Sequence, residues 1–326
     1  MTTHRERLEA CLADAPLDRV PVALWRHFPV DDQTPDGLAG AALAFQRQYD
    51  FDLVKVTPAS SFCIKDWGAQ DEWRGATEGT RDYTTPVIQH PDDWGRLPIL
   101  EPGQGHLGAQ LECLRMMYAE LGDQTPMIQT IFSPLSQAKN LVGKGVLLNH
   151  LHRYPDALTE GLRRITTSTL RYIEAVQEIG IAGIFYAVQH AQYELLSEAD
   201  FRRFGRPYDL DILEAAGDMW LKLLHIHGLD VMFDLLADYP VNIVNWHDQE
   251  TAPSLSEGQA RIPGVVCGGL RRHETMVLGT PDQVRAEARA AIQATGGRRF
   301  ILGTGCVVPI IAPHGNIKAA LQAVSD

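Results

Sequence analysis

The stretch "WLKLLHIHG", residues 220–228, decides the fold. Its apolar residues occupy both alternating sets of positions. It therefore predicts a strand covered on both faces, as in a parallel sheet clothed by helices. The run ends at Gly228. Its last two polar residues, His225 and His227, lie two apart and share one face of the strand. At roughly 3.3 Å of rise per residue, their Cα atoms stand about 6.5 Å apart.

Seven further runs resemble it: "VPVALWR" (20–26), "FDLVKVT" (51–57), "PMIQTIF" (126–132), "GIFYAVQ" (183–189), "VNIVNW" (241–246), "GVVCGG" (264–269) and "RFILGTG" (299–305). Helix signals lie between them. "SEADFRRF" offers Ser197 as N-cap with Asp200 three residues on, a variant of the capping box. "TPDQVRAEARAAIQATGG" offers Thr280 as N-cap, Pro281 at the first helical position and Gly296-Gly297 as the stop. "YPDALTEGLRRITTSTLRYIEAVQEIG" carries apolar residues near helical spacing as far as Gly180. Eight such runs alternating with helices predict an α/β protein, a (β/α)8 TIM barrel, as a single domain over 1–326. No Gly-rich fingerprint follows the first run, which disfavours a doubly wound dinucleotide-binding sheet. Residues 58–125 read as an insertion between strands 2 and 3 that covers the C-terminal face.

Composition narrows the function classes. The 326 residues carry a formal net charge of −12 with no block of like charge, which argues against a nucleic-acid or anionic-membrane partner. No apolar run is long enough to span a bilayer. The five cysteines, Cys11, Cys63, Cys113, Cys267 and Cys306, form no CxxC pair, which predicts a reducing, cytoplasmic compartment. The charged N-terminus lacks the apolar core of a signal peptide.

In a barrel the site lies at the C-terminal ends of the strands. Those tips carry His27, His190, His225, His227 and His247, five of the 12 histidines. Cys306 sits at the last tip, in "LGTGCVVP", where Gly303 and Gly305 leave room for a ligand to approach the backbone. His225, His227 and Cys306 are a candidate zinc-ligand set, and three protein ligands leave a position for substrate. His247 is a general base or a fourth ligand. His190 and Gln189 shape the pocket for catalysis. Arg26, Lys55 and Asn245 are placed to bind substrate, the two cations on an anionic group. Lys65 and Lys139 read as surface loop residues, and Asp50 and Asp52 as structural turn residues.

These residues and the order of the runs resemble the superfamily of uroporphyrinogen decarboxylase and the zinc-dependent corrinoid:thiol methyltransferases. The likeness is strongest from about 197 to 324, in "LSEADFRRFGRPYDLDIL", "LLHIHG", "LGTPDQVRAEARAAI" and "FILGTGCVVPIIAPHGNIKAALQAV". It implies a (β/α)8 barrel. The decarboxylases carry two arginines around a Gly-rich turn, a Phe-Ser-Asp after the second strand and a closing Leu-Gly-His-Gly. This chain has Arg26 alone, "KVTPASS", and "LGTG" with Thr304 at the histidine position. The methyltransferases hold zinc through His-x-Cys and a later Cys; here these match His225, His227 and Cys306, with His227 replacing a thiolate by a neutral imidazole. The resemblance thus implies a zinc-dependent methyltransferase: Zn2+ binds and deprotonates a small thiol, which takes a methyl group from a methylated corrinoid on a partner protein. The alternatives are a decarboxylase-like lyase acting on a carboxylated substrate and a non-catalytic corrinoid- or tetrapyrrole-binding protein.

Overall fold

The computed structural model describes residues 2–143 and 145–325. Among them, seven parallel strands form one curled sheet: β1 (Val54–Val56), β4 (Met127–Phe132), β5 (Gly183–Val188), β6 (Leu221–Ile226), β7 (Ile243–Trp246), β8 (Val265–Leu270) and β9 (Phe300–Thr304), in that spatial order. Two short strands, β2 (Gln70–Glu72) and β3 (Asp82–Thr85), pair antiparallel apart from it, within the 58–125 segment. β4, β5 and β8 are buried at every position, as continuous apolar runs between two covered faces must be.

The helices obey their local signals. The helix Pro281–Thr295 opens with a reciprocal capping box: the Thr280 hydroxyl accepts from Gln283 N and the Gln283 side chain accepts from Thr280 N. It stops at Gly296, which is left-handed. In Glu198–Phe204 the Ser197 hydroxyl accepts from Asp200 N, but the Asp200 carboxylate meets that hydroxyl at 2.7 Å rather than the Ser197 amide. Aspartate is one methylene shorter than the glutamate of a full box, so it makes half of the motif. The long helix Pro155–Gln177 follows the predicted apolar spacing.

One expected strand is different. Residues 20–26 form no regular strand, only a parallel bridge between Val22 and Leu302 of β9. Pro21 has no N–H to donate, so only its carbonyl serves, accepting from Leu302 N. Ala23 N donates to Leu302 O on the same side. On the other side Asp52 N donates to Val22 O, and the Asp52 carboxylate takes the Val22 N–H in place of a backbone carbonyl. The segment thus touches both edges of the sheet, at β9 and at the entry to β1.

Asp52 is fully buried and accepts from Arg7, Arg19, Val22 N and the His4 ring, at 2.6–3.0 Å. This structural role matches its reading as a turn residue, and Asp50 beside it takes the left-handed conformation at the end of helix Pro35–Tyr49. Among the described residues no helix is long and apolar enough to cross a membrane, and the five cysteines are free.

Candidate metal and thiol site

The parallel arrangement brings the ends of β6, β7 and β9 together. His225 is paired with Asn245 across β6 and β7, and His227, His247 and Cys306 follow the last residues of their strands. The β9 end fits tightly because residue 305 is glycine: a Cβ there would meet the Trp246 carbonyl and the His247 Cα at 2.7 Å. This close approach seats Cys306 against His247.

One ligand atom from each of His225, His227, His247 and Cys306 lies within 4.8 Å of all the others. His227 Nδ1 is 3.4 Å from His225 Nε2, 3.3 Å from His247 Nε2 and 3.8 Å from Cys306 Sγ. Zinc bonds of about 2.0–2.1 Å to nitrogen and about 2.3 Å to sulfur set tetrahedral ligand separations of about 3.3–3.7 Å. Three imidazole nitrogens and a thiol suit zinc in chemistry, and the separations from His227 Nδ1 lie at or just beyond the tetrahedral ones. Among the described residues this is the one group of three or more His, Cys, Asp or Glu so placed.

The partners behind the ligands fix which nitrogen is free. The Asn245 amide donates to the carbonyls of Cys267 and Thr304, so its oxygen is left to accept, and it does so from His225 Nδ1 at 2.6 Å. The proton of His225 is therefore on Nδ1, and the Nε2 lone pair faces the cluster. Likewise Glu250 accepts from His247 Nδ1 at 3.3 Å and leaves Nε2 inward. Phe185 stacks on His225 with ring centroids 5.2 Å apart.

Electrostatics favour a thiolate here. Burial opposes ionisation of Cys306, but the histidines around it outweigh burial and hold the thiol well below its ordinary pKa. Burial opposes charge on His247 as well, yet the Cys306 sulfur and Glu250 raise it to about 9. Burial pushes His225 down.

A cavity of about 220 Å³ opens beside the cluster, lined by His225, His227, Cys306, Lys55, Gln189 and Arg81, among others. Lys55 is buried. Its ammonium lies 4.5 Å from the Phe185 ring centroid and makes no ion pair or hydrogen bond with another described side chain. Burial lowers its pKa to about 7. A larger cavity of about 430 Å³ lies at the opposite ends of the strands, near Arg5 and Trp220, away from the cluster.

The remaining expected site residues divide. Gln189 lines the cavity, and its backbone N–H is held by the Ser136 hydroxyl. His190 is buried behind it, with burial the main cause of a pKa of about 3 and with Nδ1 unpartnered among the described residues; it is not part of the cavity lining. Two of the three residues expected to bind substrate are placed otherwise. Arg26 does not face the cavity: Trp25 and His27 do, and an alternating backbone turns Arg26 away, over the rings of Phe28 and Phe45. Asn245 is fully buried with its amide engaged on both sides, one layer below the cavity, and so orients His225 instead of meeting substrate.

Lys139 lines the cavity from the helix Pro134–Val142, and Lys65 pairs with Asp71 at 3.2 Å, so neither is a free surface loop residue. Sequence reading passed over Glu250, Arg272, Glu78 and Arg81. Glu250 stands three residues after His247, and Arg272 lies just past the end of β8, so the strand-tip rule reached their neighbourhood. Glu78 and Arg81 come from 58–125, where no periodicity marks them.

Comparison with known proteins adds the following. The family described as uroporphyrinogen decarboxylase (URO-D) matches residues 3–326. A methylcobamide:CoM methyltransferase of Methanosarcina mazei is 22% identical over 347 residues, covering 99% of this chain and 98% of that protein. A uroporphyrinogen decarboxylase of Syntrophotalea carbinolica is 26% identical over 239 residues, covering 70% of this chain and 68% of its own. The solved structure of a methyltransferase from Methanosarcina mazei shares the fold, with a TM-score of 0.86 at 21% identity, over 99% of this chain and 98% of that one.

Proposed function

The chain belongs to the uroporphyrinogen decarboxylase family, and from that premise we propose that it is a zinc-dependent methyltransferase of that family, moving a methyl group from a methylated corrinoid to a small thiol. The carrying observation is the convergence of His225, His227, His247 and Cys306 on one point. The names of the methylcobamide:CoM methyltransferase relatives support the corrinoid donor; in our reading a partner protein carries it. We take the fold as a single-domain (β/α)8 barrel over 1–326, closed through residues 20–26, with 58–125 inserted over its C-terminal face, in a cytoplasmic protein.

His225, His227 and Cys306 would hold the zinc, and His247 is placed to be a fourth donor. When bound, zinc lowers the pKa of a thiol so that it is a thiolate at neutral pH. Once an arriving thiol takes its place as fourth donor, His247 Nε2 would accept that thiol's proton, and Glu250 would stabilise the resulting imidazolium from Nδ1. The sulfur lone pair forms the new S–CH3 bond, and the carbon–cobalt bond of the donor breaks with its electrons remaining on cobalt. Lys55 would hold an anionic group at the far end of the thiol, and Gln189 bounds the pocket beside His190. Asn245 keeps the His225 lone pair inward.

Decarboxylation has less support. At the last strand Thr304 stands where the decarboxylases have histidine, and its hydroxyl is spent on the Cys306 carbonyl. The test is methyl transfer from methylcobalamin under anaerobic conditions to a panel of short anionic thiols, with a parallel screen for carbon dioxide release from carboxylated substrates. The methyl-transfer reading expects zinc-dependent demethylation of the cobalamin. Carbon dioxide release without any thiol reaction would establish the lyase instead.

A further inference from the structure

One buried guanidinium joins the wall of the cavity to the back of the metal site. Arg272, just after β8, clamps Glu250 with Nε to Oε1 at 2.9 Å and Nη2 to Oε2 at 3.1 Å. Glu250 in turn holds His247 Nδ1. With its remaining nitrogen, Nη1, Arg272 donates to Glu78 Oε1 at 2.5 Å, and His273 Nε2 meets the same oxygen at 3.3 Å. Glu78 lines the cavity from residues 77–81 of the inserted segment.

That segment is seated closely. Thr77 O accepts from Ile310 N, and a Cβ on Gly79 would meet the His27 Cβ at 2.5 Å, so only glycine permits this approach. Gly79 also takes φ +77°, open to glycine and strained for other residues. Arg81 anchors the far end on Asp32 and the Pro29 carbonyl. On the β7–β8 side, the segment is joined to the strand ends by the Glu78 carboxylate.

We propose that Arg272 is a positioning residue that couples the seating of residues 77–81 over the cavity to the orientation of His247. A carboxylate shared between a ligand histidine and a planar, bidentate arginine has one good geometry. Fixing His247 fixes Glu250, and hence Arg272 and Glu78. By thermodynamic reciprocity, seating the segment must strengthen the metal site by the same factor by which filling the metal site steadies the segment. The cavity is thereby sealed when the site is complete, which keeps water from the reacting groups.

The inference rests on the metal reading above, and its test uses zinc alone, with no methyl donor or thiol. Hydrogen exchange of the full chain is followed by mass spectrometry with and without one equivalent of zinc. Zinc should slow exchange in 77–81 by about 5–150-fold, the span of ordinary coupling free energies. In Arg272→Gln that response should vanish while exchange in β4–β6 is unchanged, which shows that the fold persists. Zinc affinity should fall about 10–100-fold, as for other residues that orient metal-ligating histidines. Arg272→Lys should restore less than half of the response, since one ammonium cannot serve both carboxylates. Glu78→Gln should loosen 77–81 and weaken zinc by a smaller factor. Zinc that binds with unchanged exchange at 77–81 overturns the coupling and leaves the methyltransferase reading intact. Failure of zinc to bind overturns both.

Discussion

Two buried polar centres sit at opposite ends of the same parallel strands, and they are built on contrasting rules. At the N-terminal end, Asp52 is surrounded by complementary donors: two arginines, an imidazole and a backbone N–H. At the C-terminal end, three imidazoles and a thiol turn one ligand atom each toward a common point, and among the described residues Lys55 nearby makes no ion pair with a carboxylate. The first centre is complete by itself and ties the helix His4–Leu12, residues 19–22 and the entry to β1 into one unit. The second keeps capacity in hand: its ligand atoms converge where a cation would fit, and the buried lysine lacks the anion that would offset its desolvation. A satisfied buried network marks a structural staple, whereas converging ligand atoms beside an unpaired buried cation mark a candidate site.

The sharpest break between the two centres is expected from single substitutions. Cys306→Ala or His227→Ala should lower zinc from about one per chain to near zero and reduce methyl transfer by at least about 1,000-fold, with thermal stability of the metal-free protein nearly unchanged; metal analysis beside calorimetry reads both. Asp52→Ala should do the reverse. It strands two arginines and should cost about 3–5 kcal/mol of stability, seen as a lower urea midpoint, while the folded fraction still binds zinc. If Asp52→Ala abolished zinc binding in folded protein, the separation of staple from site would fail.

Substitution behind the ligands should be intermediate. Asn245→Ala removes the acceptor that fixes the His225 tautomer and should weaken zinc about 10–100-fold in a chelator competition.

Acidity should separate the centres too. Burial lowers Lys55 to about 7, so it is charged below that pH and neutral above it. Binding of a short sulfonate or carboxylate lacking a thiol should therefore weaken by up to about tenfold per pH unit above 7, and Lys55→Met should flatten the profile. At the staple, burial would raise Asp52, but His4 and Arg19 outweigh it and hold it at about 2. A lowered carboxylate stabilises the fold above its unfolded value and loses that contribution as pH falls toward 2. His4 is raised, mainly by its hydrogen bond to Asp52, so its smaller contribution is full below the unfolded imidazole value and is lost as pH rises through the folded one. Urea midpoints of wild type and His4→Ala should converge at alkaline pH.

Much of this architecture is legible in the chain because each strand is a continuous apolar run closed by a polar tip. Such runs gave β1 and β4 to β9 within a few residues. The first run misled because Pro21 breaks its ladder and a side chain, Asp52, stands in for a backbone acceptor. The convergence of His225, His227 and Cys306 was legible for a physical reason: residues two apart on a strand share a face, and strand ends converge in a parallel sheet. The same rule failed for Arg26, which lies between two cavity-facing residues and so turns away, and for Asn245, one layer too deep. The contribution of 58–125 was not legible, since Glu78 and Arg81 reach the cavity through irregular backbone with no period to read.

The most direct test of the central claim is zinc X-ray absorption on untagged, zinc-loaded protein. The account predicts about one zinc per chain with a first shell of three nitrogens and one sulfur, the sulfur lost in Cys306→Ala. A shell of oxygen atoms without sulfur, or protein that retains no zinc, would contradict it.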